Sequence, residues 1–356
     1  MSELRALLAG SGVAVPPRRV DNHMLARVLD TNDEWIRERS GVVTRHYVEP
    51  GTGSSDLGTE AARAALADAG IEAEELDYIV CATATPDHYL PGIGTMVQQK
   101  LGIGAVPSLD IRQQCAGFAY GLQVVDALVR SGIARTVLLV GVDIHTSLMP
   151  FSKRTWEVLY DPAAGPLEEA DREWNTRFRY IVVLFGDAAG AMVFRAGRED
   201  GRGILRSALW GDGNHKEILY TPGGGSAFRP WVDHEMIDRG DLVPVMDGRQ
   251  VFRLAVTRMP EAVRQLLAQE GAAVEDLDLL VMHQANLRIN EAAQKALGLP
   301  DEKVWNNIQR YGNTTSATIP LAFHEARQAG KAPAGALVAF AALGAGLHWG
   351  AVLMRA

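Results

Sequence analysis

Three residues of this 356-residue chain have side chains and settings that could do acyl chemistry. Cys115 stands in DIRQQCAGFAYGL (110–122), between the polar pair Gln113–Gln114 and a run of small and apolar residues. A free thiol has a pKa near 8.5, so only a few per cent is thiolate at neutral pH. A helix starting here would offer unpaired N–H groups and about half a positive charge, favouring the thiolate by about 1 kcal/mol. Ala116 and Gly117 leave room for a carbonyl to approach. A lone cysteine is more often a buried packing residue, and Cys81, inside YIVCATAT, fits that description. His283 ends DLLVMH and opens HQANLRIN; strand ends in open α/β sheets are where sites form. Asn313, in YGNTTSA, taken alone reads as an Asx turn or helix cap. Together, at three strand-to-helix junctions, Cys, His and Asn make a candidate constellation.

The surrounding elements alternate between strand-like and helix-like segments, which argues for a layered α/β fold. VLLVGVD (137–143) and IVVLFGDAAGAMVF (181–194) read as buried strands, and DLGTEAARAALADAG (56–70) as an amphipathic helix with Ser54 or Ser55 as N-cap and Gly70 as stop. The pattern then repeats: EELDYIVCA (74–82) resembles EDLDLLVMH (275–283), QQKLGI resembles QKALGL, and FGDAAGAMVFR echoes GAGLHWGAVLMR. An offset near 200 residues is too long for a solenoid and points to two similar halves about a pseudo-dyad, 1–195 and 196–356. Cys115 lies 17 residues before Gly132 and Asn313 lies 17 before Gly330, so the two are expected at equivalent helix starts. Residues 145–180 have no counterpart and read as a helix–loop–helix insertion on the surface, with Trp156, Leu159, Trp174 and Phe178 available to cover or extend a channel.

Composition narrows the function. Hydrophobic residues make 47% and charged residues 22%, as in a globular protein, and the net charge of −8 gives no reason to expect nucleic acid as partner. No run of about 18 apolar residues would span a bilayer, and no N-terminal stretch reads as a signal peptide. Two cysteines without ligand spacing argue against a disulfide scaffold or a metal cluster. A reduced, cytoplasmic protein is expected. The GGG at 223–225 lacks the Lys and Ser/Thr of a P-loop and reads as a turn.

TNDEWIRERSGVVTRHY (31–47), DIRQQCAGFAYGL, FGDAAGA, MHQANLRI, YGNTTSATIP and GAGLHWG, in this order, resemble the motifs of the β-ketoacyl-acyl-carrier-protein synthase III family of the thiolase superfamily, over nearly the whole chain. The resemblance implies a five-layered α-β-α-β-α thiolase-like fold. It implies Cys115 as nucleophile with His283 and Asn313, and an oxyanion hole from the backbone N–H groups of Cys115 and Ala345. It places Trp35 and Arg39 at the adenine end of coenzyme A, Arg179 as a further coenzyme-A-contacting arginine, Phe252 near the pantetheine entrance, and Asn286, of the His-Gln-Ala-Asn segment, among the coenzyme-A-binding residues. Arg288 would serve carrier-protein docking. Leu90 stands where some members carry an aromatic that shortens the primer pocket. Gln113 and Gln114 replace small residues, Ala345 replaces the middle of a Gly-Gly-Gly, and a smaller extra segment falls at about 215–245.

By resemblance the reaction is a decarboxylating Claisen condensation in fatty acid or polyketide biosynthesis. An acyl-CoA primer would load Cys115; malonyl-ACP or malonyl-CoA would then lose carbon dioxide and attack, with neutral His283 and Asn313 donating to the enolate. No metal or redox cofactor is implied. An acyltransferase passing the acyl group to a hydroxyl or amine is the second reading, and a non-catalytic partner of a synthase the third. A homodimer is implied, with the strand near VLLVGVD pairing across the dyad and the 84–96 loop reaching the partner's pocket.

Overall fold

A computed structural model describes residues 3–199 and 201–356. The first sheet has five strands, β1 (Arg5–Ala14), β2 (Tyr78–Ala82), β3 (Ser108–Ile111), β4 (Thr136–Asp143) and β5 (Ala188–Gly197), in the order β1-β5-β4-β2-β3. The second sheet has β6 (Gly203–Gly211), β7 (Leu279–Met282), β8 (Val304–Trp305), β9 (Leu337–Gly344) and β10 (His348–Arg355), in the order β6-β10-β9-β7-β8. Numbered within its own half, each sheet runs first-fifth-fourth-second-third. In both, the two inner connections are parallel and the fifth strand returns antiparallel.

Six helices complete the repeat: α1 (Ser54–Ala69), α2 (Ile93–Leu101) and α3 (Gly117–Arg130) in the first half, α4 (Gly248–Glu270), α5 (Leu287–Leu297) and α6 (Thr318–Gln328) in the second. Strand alternation decides the layers. In β4, Leu139 packs with α3 and α6, while Leu138, Val140 and Val142 face α1 and α2. In β9, Val338, Phe340 and Ala342 join that same central cluster, while Leu337, Ala339 and Ala341 face α4 and α5. Both sheets are therefore covered on both faces, which is why their strands are continuous apolar runs. The result is the five-layered thiolase-like fold: α1/α2, sheet, α3/α6, sheet, α4/α5.

Several local expectations are corrected. The N-cap of α1 is Gly53, not Ser54 or Ser55; Ser54 donates to the Thr85 carbonyl and Ser55 to Asp87 instead. The apolar run 181–194 is not one strand. Arg179–Val182 is helical, and the strand begins at Ala188, after Asp187 has taken the N–H groups of Val48, His145 and Thr146. The strand VLLVGVD cannot pair across a dyad, because β4 is already bonded to β2 and β5; β3 lies at the free edge.

The segment 145–180 does form helix–loop–helix, Lys153–Tyr160 and Glu169–Arg177. It is not a surface decoration, and its Trp174 borders a second cavity with Leu148, Phe151 and Leu242. Leu159 and Phe178 are buried with Leu25, Ile36 and Tyr47, and Trp156 packs against them. Asn175 donates to the Val28 carbonyl and Arg172 to that of Arg27, so the insertion caps the segment that carries Trp35.

Candidate active site

Cys115 lies in a single 3-10 turn, 114–116, that leads into α3; the matching turn before α6 is 315–317. The residue opening each turn has the left-handed backbone that L residues rarely adopt, φ +49° at Gln114 and +47° at Thr315. The structural counterpart of Cys115 is therefore Ser316, and Asn313 lies three residues earlier than equivalence would put it. Counting back from the closing glycines fails because α3 has 14 residues and α6 has 11. The two turns touch: Ser316 Oγ donates to the Gln114 carbonyl at 3.1 Å. A Cβ on Gly141 of β4 would come within 2.3 Å of the Ser316 carbonyl, so a glycine is needed for this approach.

Thr315 is the point on which the candidate residues converge. Its N–H donates to Asn313 Oδ1 at 2.9 Å. That bond occupies the amide oxygen and leaves Nδ2, a donor, as the free end of Asn313. Its carbonyl accepts from Thr318 Oγ1 at 2.8 Å, and Thr318 Oγ1 lies 2.7 Å from His283 Nδ1. A hydroxyl has one proton. With it on the Thr315 carbonyl, His283 must carry its own proton on Nδ1 and leave Nε2 bare. Finally, Thr315 Oγ1 lies 2.7 Å from His145 Nε2. His145 Nδ1 donates to the Gly186 carbonyl at 3.1 Å, so Nε2 is the acceptor and Thr315 the donor.

The burial of these groups sets their charges. Burial, with Asp143 nearby, pushes the Cys115 thiol up to about 12, while the Thr315 side chain opposes the rise. Burial pulls His283 down to about 3, with His145 adding to the shift, and His145 to about 4. The resting site thus holds a thiol and two neutral imidazoles. The expectation of a helix-stabilised thiolate is corrected: Cys115 is 8% exposed and precedes the first residue of α3, where desolvation outweighs the helix end. Asp143 joins the halves from beneath. It accepts from Ala84 N at 2.7 Å, from Thr85 Oγ1 at 3.1 Å and from Ser316 N at 2.8 Å.

A cavity of about 370 Å³ opens over the thiol. Cys115, Thr315, His145 and Ala345 lie in its wall with the apolar Leu148, Phe185 and Leu219. His283 and Asn313 are 3% exposed and stand behind Thr315. A Cβ on Gly344 would meet Cys115 N at 2.9 Å, so glycine there lets the 344–346 turn close on the nucleophile. Among the described residues, neither the Cys115 nor the Ala345 N–H is bonded to a main-chain carbonyl outside the helices and strands.

The remaining expected residues divide into two groups. The Trp35 ring lies between two guanidiniums, Arg39 and Arg179, each 4.5 Å from its centre. Asn286 Nδ2 donates to the Arg39 carbonyl at 2.8 Å and its Oδ1 accepts from Arg288 N, so Asn286 both caps α5 and ties it to the Trp35 helix. Arg288 is exposed beside it. Phe252 is 36% exposed on α4 and Leu90 is 78% exposed; neither borders the cavity over Cys115. Tyr89 packs instead on Trp231 of the 215–245 segment, ring centres 4.5 Å apart. Among the described residues, no cluster of His, Cys, Asp and Glu is placed to hold a metal ion, and no helix is long and apolar enough to cross a membrane. Sequence reading missed His145, Thr315 and Thr318. His145 had one usable signal, its place just past the end of a buried parallel strand.

The chain resembles known proteins along its whole length. The family described as 3-oxoacyl-[acyl-carrier-protein] synthase III matches residues 109–173, and its C-terminal counterpart matches 267–356. The β-ketoacyl-[acyl-carrier-protein] synthase III of Rhodospirillum rubrum is 41% identical over 356 residues, covering 99% of each chain. That of Symbiobacterium thermophilum is 40% identical, covering 98% of this chain and 97% of the relative. Among solved structures, the 3-oxoacyl-[acyl-carrier-protein] synthase III of Aquifex aeolicus superimposes with a TM-score of 0.83 at 34% identity, over 99% of this chain and 100% of that one. The priming β-ketosynthase of a polyketide pathway does so with a TM-score of 0.82 at 31% identity, over 100% of this chain and 98% of that one. With both halves, their shared architecture and the full length accounted for, this chain belongs to the β-ketoacyl-acyl-carrier-protein synthase III family.

Proposed function

We propose that this enzyme is a 3-oxoacyl-ACP synthase that condenses an acyl-CoA primer with malonyl-ACP through an acyl-Cys115 intermediate, in fatty acid or related polyketide biosynthesis. The observation that carries the assignment of residues is the convergence on Thr315: one residue orients Asn313 and His283 behind the thiol.

In the first half-reaction the sulfur of Cys115 attacks the thioester carbonyl, and coenzyme A leaves. The N–H groups of Cys115 and Ala345 receive the oxyanion; losing one such donor costs about 3 kcal/mol. Trp35 and Arg39 hold the adenine end of coenzyme A, Arg179 and Asn286 make further contacts with coenzyme A, Phe252 lies toward the pantetheine arm, and Arg288 receives the carrier protein. In the second half-reaction malonyl thioester loses carbon dioxide, and the enolate carbon attacks the acyl-enzyme and expels the sulfur. Asn313 Nδ2 donates to the enolate oxygen. His283 donates only when its proton is on Nε2, which the free-enzyme network disfavours. Turning the Thr318 hydroxyl from the Thr315 carbonyl to Nδ1 allows that tautomer, at the cost of about one hydrogen bond, ~1 kcal/mol. No step uses a metal or redox cofactor. The active form is proposed as a cytoplasmic homodimer.

The bare Nε2 favours one alternative, acyl transfer to a hydroxyl or amine with His283 as base. Carbon dioxide release separates the two. The acylated enzyme given labelled malonyl-ACP should release carbon dioxide and a 3-oxoacyl-ACP in equal amounts; discharge of the acyl group without carbon dioxide would favour the alternative.

A further inference from the structure

We propose that His145, acting through the Thr315 hydroxyl, takes the proton of Cys115 when the nucleophile is acylated. The inference rests on the acyl-cysteine reading above and adds a positioning residue outside the Cys-His-Asn set.

Four observations carry it. First, the direction of the hydrogen bonds is fixed. The Gly186 carbonyl can only accept, so His145 has Nδ1–H and a bare Nε2, and Thr315 points its hydroxyl proton at that nitrogen. Thr315 Oγ1 then keeps its lone pairs, and it borders one cavity with Cys115 and His145 and is a hydrogen-bond partner of the Cys115 side chain. Second, His145 is held on every side. Its N–H donates to Asp187 Oδ1 at 2.7 Å, and its ring stacks on Phe185 with centres 4.4 Å apart. Third, Thr315 is a β-branched residue at φ +47°, a costly conformation that persists only where its surroundings over-determine it. Bonds from its N–H, carbonyl and hydroxyl do so here. Fourth, the buried thiol needs a base. Asp143 is occupied by at least three donors, and His283, although its Nε2 is bare, does not border the cavity whose wall holds Cys115, Thr315 and His145. The titratable and charged groups around His145 are Cys115, Asp187, Asp143 and His283, with Arg112, Lys216, Tyr220 and His348 in the same cavity wall.

The step balances. The Cys115 S–H bond breaks and its proton bonds to Thr315 Oγ1. The original Thr315 hydroxyl proton passes to His145 Nε2. The sulfur electron pair forms the bond to the acyl carbon. Departing coenzyme A thiolate takes that proton from His145, by the reverse path or through a water that passes it on, and His145 returns to neutral. His145 serves loading, while His283 and Asn313 serve condensation.

The test is single-turnover acylation by an acyl-CoA, read by intact mass from pH 6.5 to 9.5. It is run beside condensation from pre-loaded acyl-enzyme, with thermal melts to confirm folding. His145→Gln and Thr315→Val should each slow acylation about 100-fold near pH 7, and His145→Gln should leave condensation within about threefold. In both variants acylation should climb with pH, as solvent replaces the lost base, more steeply than in the parent enzyme. Thr315→Ser should restore acylation to within about fivefold. Acylation by both folded variants within threefold of the parent, or equal losses in both half-reactions of His145→Gln, would overturn the relay. Parent enzyme that never acylates would instead overturn the acyl-cysteine reading itself.

Discussion

The Thr315 N–H is bound to Asn313 Oδ1 at 2.9 Å, and this one bond turns a side chain with an ambiguous amide into a dedicated donor. It also shows why an Asx turn and a catalytic role need not compete at Asn313: the turn is what fixes the amide.

The first prediction follows from that division. Cys115→Ala should abolish acyl-enzyme formation, whereas His283→Ala and Asn313→Ala should still acylate and lose condensation. Asn313→Asp is the sharper variant, because a carboxylate still accepts from Thr315 N but offers no donor. Its condensation rate should fall about 100- to 1,000-fold, in the range for a lost oxyanion donor, with loading retained. Complete loss of loading in both His283→Ala and Asn313→Ala would contradict the scheme.

The second concerns stability. Asp143 of the first half accepts from Ser316 N of the second while also accepting from Ala84 N. Asp143→Asn places an amide NH₂ against at least one of these buried donors, and should cost about 2–4 kcal/mol. Urea unfolding at pH 7 reads this directly; a change below 0.5 kcal/mol would remove Asp143 as the staple between halves.

The third is a pH dependence. His145 is pulled down to about 4 and His283 to about 3 from 6.5, so below pH 6.5 the unfolded chain binds protons that the folded chain refuses. Their contribution to stability is present above 6.5 and is lost as pH falls. Asp143 and Asp187, both raised to about 6, act oppositely: their contribution is full below 3.8 and lost as pH rises through 6. His145→Phe removes one histidine and neither carboxylate. Between pH 6 and 4.5 its unfolding free energy should therefore change less favourably with rising pH than the parent's, by up to about 1.4 kcal/mol per unit. Parallel curves would contradict the burial of a neutral His145.

The fourth concerns the primer. The exposed position of Leu90 leaves the cavity unshortened from within the chain, and Leu148 and Leu219 line it. Chains longer than acetyl should be preferred, since each buried methylene is worth about 0.8 kcal/mol. Leu219→Trp should reduce kcat/KM for hexanoyl-CoA more than for acetyl-CoA. An acetyl-CoA optimum in the parent enzyme would refute this.

The fifth is assembly. Sheet edges are pairing surfaces, and β3 offers one with Leu109 39% exposed. Light scattering at micromolar concentration should give a dimer, and Ser108→Pro, which removes an N–H on the open side of β3, should weaken it. A monomeric parent protein would exclude the dimer.

Much of this was legible in the chain. The repeat of EELDYIVCA as EDLDLLVMH predicts two halves, and the sheets have the same strand order. Alternation across β4 and β9 is hidden in sequence, because both faces are apolar; only packing assigns Leu139 to the centre and Leu138 to the outside. The run 181–194 misleads for the same reason, since an apolar run without period does not distinguish strand from helical turn. Thr315 and His145 are 170 residues apart, and although Thr315 lies inside YGNTTSATIP nothing in that motif points to His145, so only the folded chain joins them.

The most direct measurement is the intact mass of the enzyme in rapid quench, first with hexanoyl-CoA and then with malonyl-ACP. The account predicts one hexanoyl addition, mapped to Cys115, that disappears on malonyl-ACP addition as 3-oxo-octanoyl-ACP forms. An acyl adduct on another residue, or a Cys115 adduct that malonyl-ACP leaves in place, would contradict it.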